Sequence, residues 1–270
     1  MTIELITLFS MLGIFVGLMS GLFGIGGGGI MVPLFASIFI SYGIAIENPV
    51  HIALGTSMTA IIFTSLSSAW AHHKYHNVSW LIVKKMTIGI ALGAFLATFV
   101  AATINSLYLA IFFTAFMFYV AIKMFISSSP NPLKVLPSDR RLFIAGYGIG
   151  TISSLVSIGG GSLMVPFLIN RNIDIKKAIG TSAAVGFPLS LAGSIGFLLN
   201  DSSAIANSAQ IYGFVHLPAA ITVSIFTVIF APLGAKLSTK LPLTLLKKLF
   251  ALLLTLLSIK MLLLVLTQTN

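Results

Sequence analysis

The feature that most restricts this chain is a glycine run that occurs twice. Ile25-Gly26-Gly27-Gly28-Gly29-Ile30-Met31-Val32-Pro33 returns as Ile158-Gly159-Gly160-Gly161-Ser162-Leu163-Met164-Val165-Pro166, each residue 133 positions after its counterpart (158 − 25). Glycine runs break helices, because glycine loses the most backbone entropy on ordering and leaves its amides uncovered. Two breaks at corresponding places in two apolar halves point to one binding site shared by two broken segments of a duplicated membrane protein.

Composition supplies the solvent. Of 270 residues, 57% are apolar and 7% charged, where soluble domains carry about 25% charged residues. At about 20 residues per crossing, the chain is filled by membrane helices, and the expected class is an all-α membrane protein. The net charge of +10, from 15 Lys and Arg against 5 Asp and Glu, follows from the basic bias of cytoplasmic loops, so no nucleic-acid partner is expected. Cysteine is absent, which excludes disulfides, thiolate metal sites and cysteine nucleophiles. Residues 3–22 carry Glu4 and no basic leader before them, and read as a retained helix.

Gly13, Gly17 and Gly21 give that first helix a small-xxx-small stripe suited to close helix packing. After the glycine loop come a short apolar piece (30–42), a helix at 51–71, a polar loop at 72–79 holding His72, His73, Lys74 and His76, and helices at 81–103 and 106–126. Residues 127–141 read as the linker between a first membrane repeat (1–127) and a second (142–270). The second repeat keeps the order: 142–157 with Gly146 and Gly150, the second glycine loop, a short piece ending near Asn170, then helices at 178–199, 211–236 and 242–266. Gly180-Thr181-Ser182 matches Gly55-Thr56-Ser57, Gly234-Ala235 matches Gly93-Ala94, and Lys260-Met261 matches Lys123-Met124.

If each glycine-loop segment is a hairpin that turns near mid-membrane and leaves on the side it entered, every Lys and Arg except Lys260 falls on one side, with Glu4, Glu47 and Asp201 opposite. That side is expected to be cytoplasmic, with the linker 127–141 in the cytoplasm and both termini outside. Each repeat then holds one hairpin and three full crossings. Three is odd, so the repeats are inverted relative to each other.

Unpartnered amides are tolerated at membrane depth only within protein or around a wet cavity. The short pieces begin at the loops, so their N-termini point toward mid-membrane, where each presents free amides and about half a positive charge. Two converging N-termini make a site for a small anion with no Lys or Arg inside. The expected substrate-binding residues are Gly26, Gly27, Gly28, Gly29, Gly159, Gly160, Gly161 and Ser162, joined by the hydroxyls of Thr56, Ser57, Thr181 and Ser182. The plainer alternative is that the loops only permit tight packing and the hydroxyls cap helix carbonyls. Pro33 and Pro166 are expected to end or kink the short pieces.

Other signals fall away. Gly24-Ile25-Gly26-Gly27-Gly28-Gly29 fits G-x-G-x-x-G, but no strand precedes it and no βαβ unit surrounds it. His72, His73 and His76 lack an acidic partner and read as a solvated turn rather than a metal site, and no catalytic motif is present, so neither an enzyme nor a cofactor is expected. His51 and His216, placed near the outer surface, are candidates for proton coupling.

The two glycine motifs, Gly24 to Pro33 and Ser157 to Pro166, together with the paired Gly-Thr-Ser triplets, resemble the sulfite exporter TauE/SafE family of membrane transporters over nearly the whole chain. Ser162 departs from the first loop, where Gly29 stands. The resemblance implies transport of sulfite, sulfoacetate or another sulfonate across the bacterial cytoplasmic membrane. The expected protein is therefore a multi-pass exporter of a small anion, working by alternating access. A passive anion channel, a non-transporting scaffold and a cation permease are the rival readings, and the oligomeric state is left open.

Overall fold

The computed structural model describes residues 2–24, 26–44, 48–126, 137–200 and 210–269. Ile25, Glu47, Asp201 and most of the linker expected at 127–141 lie outside them. Ten helices occur among the described residues: α1 Ile3–Phe23, α2 Gly28–Ser41, α3 Pro49–Lys74, α4 Trp80–Thr103, α5 Ser106–Ile126, α6 Asp139–Leu155, α7 Gly161–Ile169, α8 Ile175–Leu199, α9 Leu217–Lys240 and α10 Leu243–Thr269. Five of them, α1, α3, α4, α8 and α9, are long and apolar enough to cross a bilayer. Large apolar side chains such as Ile88, Leu92 and Leu96 of α4 and Ile221, Ile225 and Ile229 of α9 stand exposed along one helix face. Lipid is the solvent that such faces match, and the chain is an all-α multi-pass membrane protein, with one short hairpin among the described residues.

That hairpin corrects the expected helix at 211–236. Ile211–Tyr212 and Val215–His216 pair antiparallel, and α9 starts only at Leu217. Gly213 turns with φ +55° and Pro218 sits in the first turn of α9, where its missing N–H costs nothing. Two further expectations are corrected. α3 runs through His72 and His73 to Lys74, so the polar loop is shorter than its composition indicated; basic groups in a last helical turn suit the negative end of the helix dipole. Of the two roles expected for Pro33 and Pro166, ending the short helices is corrected, since α2 continues to Ser41 and α7 to Ile169, and the kink is the reading that remains.

The packing is interleaved. α1 lies along α9 and α6 along α4; α3 lies against α8 and α9, and α8 against α3 and α4; α5 lies against α10. Exchanging α1–α5 with α6–α10 in that description leaves it unchanged. The glycine stripe of α1 faces α9, where Gly13 and Gly17 abut the backbone of Val223 and Thr227. Gly146 and Gly150 of α6 likewise abut Met86 and Ile90 of α4. Each stretch that was set apart as a repeat thus packs its first helix on the other's fourth. α3 and α8, the most enclosed of the long helices, form the centre.

The ends of the bundle differ in charge. Lys85 pairs with Asp139 at 2.5 Å, joining the starts of α4 and α6. Gly180 near the start of α8 lies against Asn77 and His72. This end also collects Lys74, Arg140, Arg141, Lys176 and Lys177, and is called the basic end. At the opposite end the Tyr42 hydroxyl donates to Glu4 at 2.6 Å, so α2 finishes where α1 begins, as a hairpin requires.

Candidate functional site

The two glycine turns share part of a backbone plan, although Gly26 is left-handed at φ +69° and its counterpart Gly159 is not. α1 is closed by Gly24 at φ +67°, whose N–H donates to Ser20 O at 2.7 Å, and α2 opens on Gly27 at φ +83°. In the second turn Ser157 takes φ +45° and α7 opens on Gly160 at φ +76°. Gly24 and Ser157 are counterparts, as are Gly27 and Gly160, so left-handed residues stand at matched places. Ser157 bears its conformation without being glycine, a strain of about 1–2 kcal/mol.

The turns touch. A Cβ on Gly26 would lie 3.0 Å from Gly159 Cα, one on Gly28 would run into Ser157 O, and one on Gly29 would lie 3.5 Å from Ile158 Cγ1. Ile61, midway along α3, reaches both Gly26 and Gly28, while Gly186, midway along α8, faces Gly159 O. The meeting point is therefore the middle of the bundle. It is shut: Gly26 to Gly29 and Ile158 to Ser162 are all buried, with Val16, Met117, Val185 and Leu189 among their neighbours.

Backbone accounting shows what the turns leave free. Ile30 and Met31 donate to Gly27 O, each at 3.0 Å; Leu163 and Met164 donate to Gly160 O at 3.3 and 2.8 Å. Among the described residues, the amides of Gly28, Gly29, Gly161 and Ser162 have no acceptor. Neither N-cap glycine can cover them with a side chain. Four orphan donors at two helix starts carry positive potential without a cationic residue. Ser162 Oγ, also in the first turn of α7, and Ser57 Oγ on α3 are buried with no partner.

The other expected hydroxyls are engaged. Thr56 Oγ1 accepts the His216 N–H at 2.9 Å, and Thr181 Oγ1 accepts the Ser79 N–H at 2.9 Å. His216 and Ser79 are the residues that open α9 and α4. The glycine of each triplet makes room for the same turns, Gly55 against Phe214 O and Gly180 against Asn77 O. Each Gly-Thr-Ser triplet thus docks the turn ahead of a helix of the other half. Ser182 Oγ donates to Gly24 O at 3.2 Å, tying α8 to the first glycine turn. Thr56→Val strands a buried amide and should lower stability by about 1–3 kcal/mol; Thr181→Val strands a part-buried one and should cost less, both read as a lower melting temperature in detergent.

The two candidate coupling histidines hold helix ends. His51 Nδ1 meets Ser106 Oγ at 2.9 Å and Nε2 meets Ala101 O at 3.0 Å, joining the α4–α5 turn. His216 Nδ1 accepts the Ala219 N–H at 3.2 Å as the cap of α9, against the rings of Phe9 and Phe39. Burial pushes the His216 imidazole down from 6.5 to about 4. The neutral ring is the folded form, so its contribution is complete above about pH 6.5 and is lost as pH falls toward 4. His216→Asn, which caps without titrating, should flatten that acid loss of thermal stability.

Three further groups stand out: Ser20 and Ser68, which the sequence does not single out, and His72, which reads there as part of a solvated turn but is 1% exposed. Each is buried with a side-chain atom that has no partner. The available signal was a stripe of polar residues four apart on α3, Thr64, Ser68 and His72. No group of three or more potential metal ligands occurs among the described residues.

Two buried glycine turns meet at the middle of a helical bundle whose outer faces match lipid, and this architecture defines a multi-pass membrane protein. The sequence model for "Sulfite exporter TauE/SafE" matches residues 9–261. The chain belongs to that family. A "Probable membrane transporter protein" of Haemophilus influenzae is 33% identical over 252 residues, covering 93% of this chain and 96% of that one. One from Methanocaldococcus jannaschii is 30% identical, covering 87% of each. One from Bacillus subtilis is 29% identical, covering 86% and 89%. No solved structure matches the chain. The protein is accordingly a membrane transporter by family.

Proposed function

We propose that the protein moves a small oxyanion, sulfite or an organosulfonate, across the bacterial cytoplasmic membrane by alternating access around the two glycine turns. The observation that carries this reading is the meeting of two helix starts at mid-bundle, where the amides of Gly28, Gly29, Gly161 and Ser162 have no acceptor among the described residues. Ser57 and Ser162 supply hydroxyl donors to the same guest. Gly26, Gly27, Gly159 and Gly160 shape the turns so that backbone, not side chains, faces it. Thr56, Thr181 and Ser182 act behind them, fixing the elements that carry the donors. Donors without full charge hold an anion and also release it, as turnover requires. The family name supports sulfite, and sulfonates present the same three-oxygen face.

The two halves are read as inverted repeats. The exchange symmetry of the packing and the matched left-handed positions favour this, and the basic end then faces the cytoplasm, with both termini outside. The buried turns correspond to an occluded state, which opens to one side at a time as one group of helices rocks against the other. Export of an anion is favoured by the membrane potential, at about 2.3 kcal/mol per charge per 100 mV. A coupling part for His51 or His216 would require either ring to give up a bond that holds a helix end.

Purified protein in proteoliposomes tests the reading. Labelled sulfite and methanesulfonate should show saturable counterflow, driven in the exit direction by an imposed potential. Flux without counterflow would mean a channel. Flux of neither anion, with a response to metal cations instead, would mean a cation permease and overturn the proposal.

A further inference from the structure

Serine and threonine in a membrane helix usually bond back to their own helix, and here most do: Thr59 to Gly55 O at 3.0 Å, Thr64 to Ala60 O at 2.9 Å, Thr255 to Ala251 O at 2.9 Å and Ser258 to Leu254 O at 2.8 Å. Ser20 and Ser68 do not, although both are fully buried. His72 beside them is 1% exposed, and its Nε2 lies 3.0 Å from Gly21 O. A carbonyl can only accept, so Nε2 carries the hydrogen. The neutral ring is left with a bare lone pair on Nδ1, and that atom has no partner. Ser68 stands one turn before His72 on the same face of α3, and Ser20 precedes Gly21 in α1. Ser20 Cβ lies 3.7 Å from where a Gly27 Cβ would sit, which links this cluster to the first glycine turn. On its other side His72 lies against Gly180 of α8, at the basic end.

We propose that Ser20, Ser68 and His72 form a second station for the anion, between the glycine turns and the basic end, and that His72 takes up one proton with each anion held there. This rests on the anion-transport reading above. As an acceptor, neutral Nδ1 repels an anion; once protonated it becomes a donor. A buried imidazolium is costly without a counter-ion, and the anion supplies it while the two serine hydroxyls supply further donors. The titratable groups near this end on the surrounding elements are His73 and Lys74 of α3, Tyr75 and His76 of the following turn, Asp174, Lys176 and Lys177 at the start of α8, and Lys236 and Lys240 of α9. None of them bonds to the His72 ring. Most are cations, which disfavour a lone imidazolium and so make protonation depend on the anion. The proton comes from water at the basic end onto Nδ1 and returns to that same water when the anion leaves the station, so the anion crosses without it, and no bond of the substrate changes.

Methanesulfonate is the probe, because its charge is constant between about pH 5 and 8, where a histidine titrates. Its binding to the purified full-length protein should strengthen by up to about tenfold per unit fall in pH, the slope for one linked proton. Calorimetry in buffers of different ionisation heat should find up to one proton taken up per anion bound. His72→Gln keeps a donor for Gly21 O but cannot titrate, so it should remove the slope. Ser20→Ala with Ser68→Ala should weaken binding several-fold and keep the slope. A pH-independent wild type with no proton uptake overturns the station and leaves the transport reading standing, as does a His72→Gln protein with the slope intact. A wild type that neither binds nor transports the anion at any pH overturns both.

Discussion

Gly28→Ala is expected to abolish transport and to cut the yield of folded protein sharply, whereas Gly160→Ala should fold and keep measurable flux. The two glycines look interchangeable in the sequence, one in each run. In the structure a Cβ on Gly28 would enter the carbonyl oxygen of Ser157 and press on Ile61 Cδ1 at 2.6 Å. Ser157 belongs to the opposite turn, so the collision is between two backbones, each held by its own helix. Neither can step aside without separating the helix starts that present the free amides. A Cβ on Gly160 meets only side chains, Leu189 Cδ1 at 3.6 Å and Val185 Cγ1 at 4.0 Å. Its penalty is conformational, since φ is +76°, and amounts to about 1–2 kcal/mol. Melting curves in detergent and counterflow in proteoliposomes check the pair. A Gly28→Ala protein that melts and transports like the wild type would mean the turns do not need to touch.

That contrast also marks how far the sequence could be read. The doubled run at a fixed offset was enough to expect two broken segments and a shared centre, because glycine runs in apolar sequence have few other uses. The small-xxx-small stripe of α1 was legible for the same reason, though its partner was not. In sequence Thr56 and Thr181 read as facing a guest, yet each meets a backbone amide distant in sequence, at His216 and Ser79. A threonine's side-chain partner cannot be read from periodicity. His72 reads as a loop residue because it opens the cluster His72-His73-Lys74. Such a cluster fits the end of a helix as well as the turn after it, and only the packing of α1 and α8 around it reveals a buried ring. The hairpin before α9 escaped because each strand has two residues, too few for an alternating pattern.

Gly21→Ala should bring the largest loss of stability outside the turns. Lipid tails are as apolar as helix side chains, so helices in a bilayer are held by close contact rather than by a hydrophobic drive. α1 obtains that contact from Gly13, Gly17 and Gly21; a Cβ added at Gly17 would lie 2.9 Å from Thr227 Cα. At Gly21 a Cβ would enter Ala231 O and come within 2.7 Å of Ala235 N, both backbone atoms of α9. One methyl group therefore lifts α1 off α9 along the rest of the seam. It also moves the Gly21 carbonyl that orients His72. Overpacking of this kind costs about 1–3 kcal/mol, and because backbone opposes backbone the upper end is expected. Gly148→Ala is the matched comparison: it too lies inside a helix, with nothing within 4 Å of its Cβ position. There the gain in helix propensity, about 0.8–1 kcal/mol, is unopposed, so the melting temperature should hold or rise. Equal melting of Gly21→Ala and wild type would show that the α1–α9 seam does not hold the bundle together.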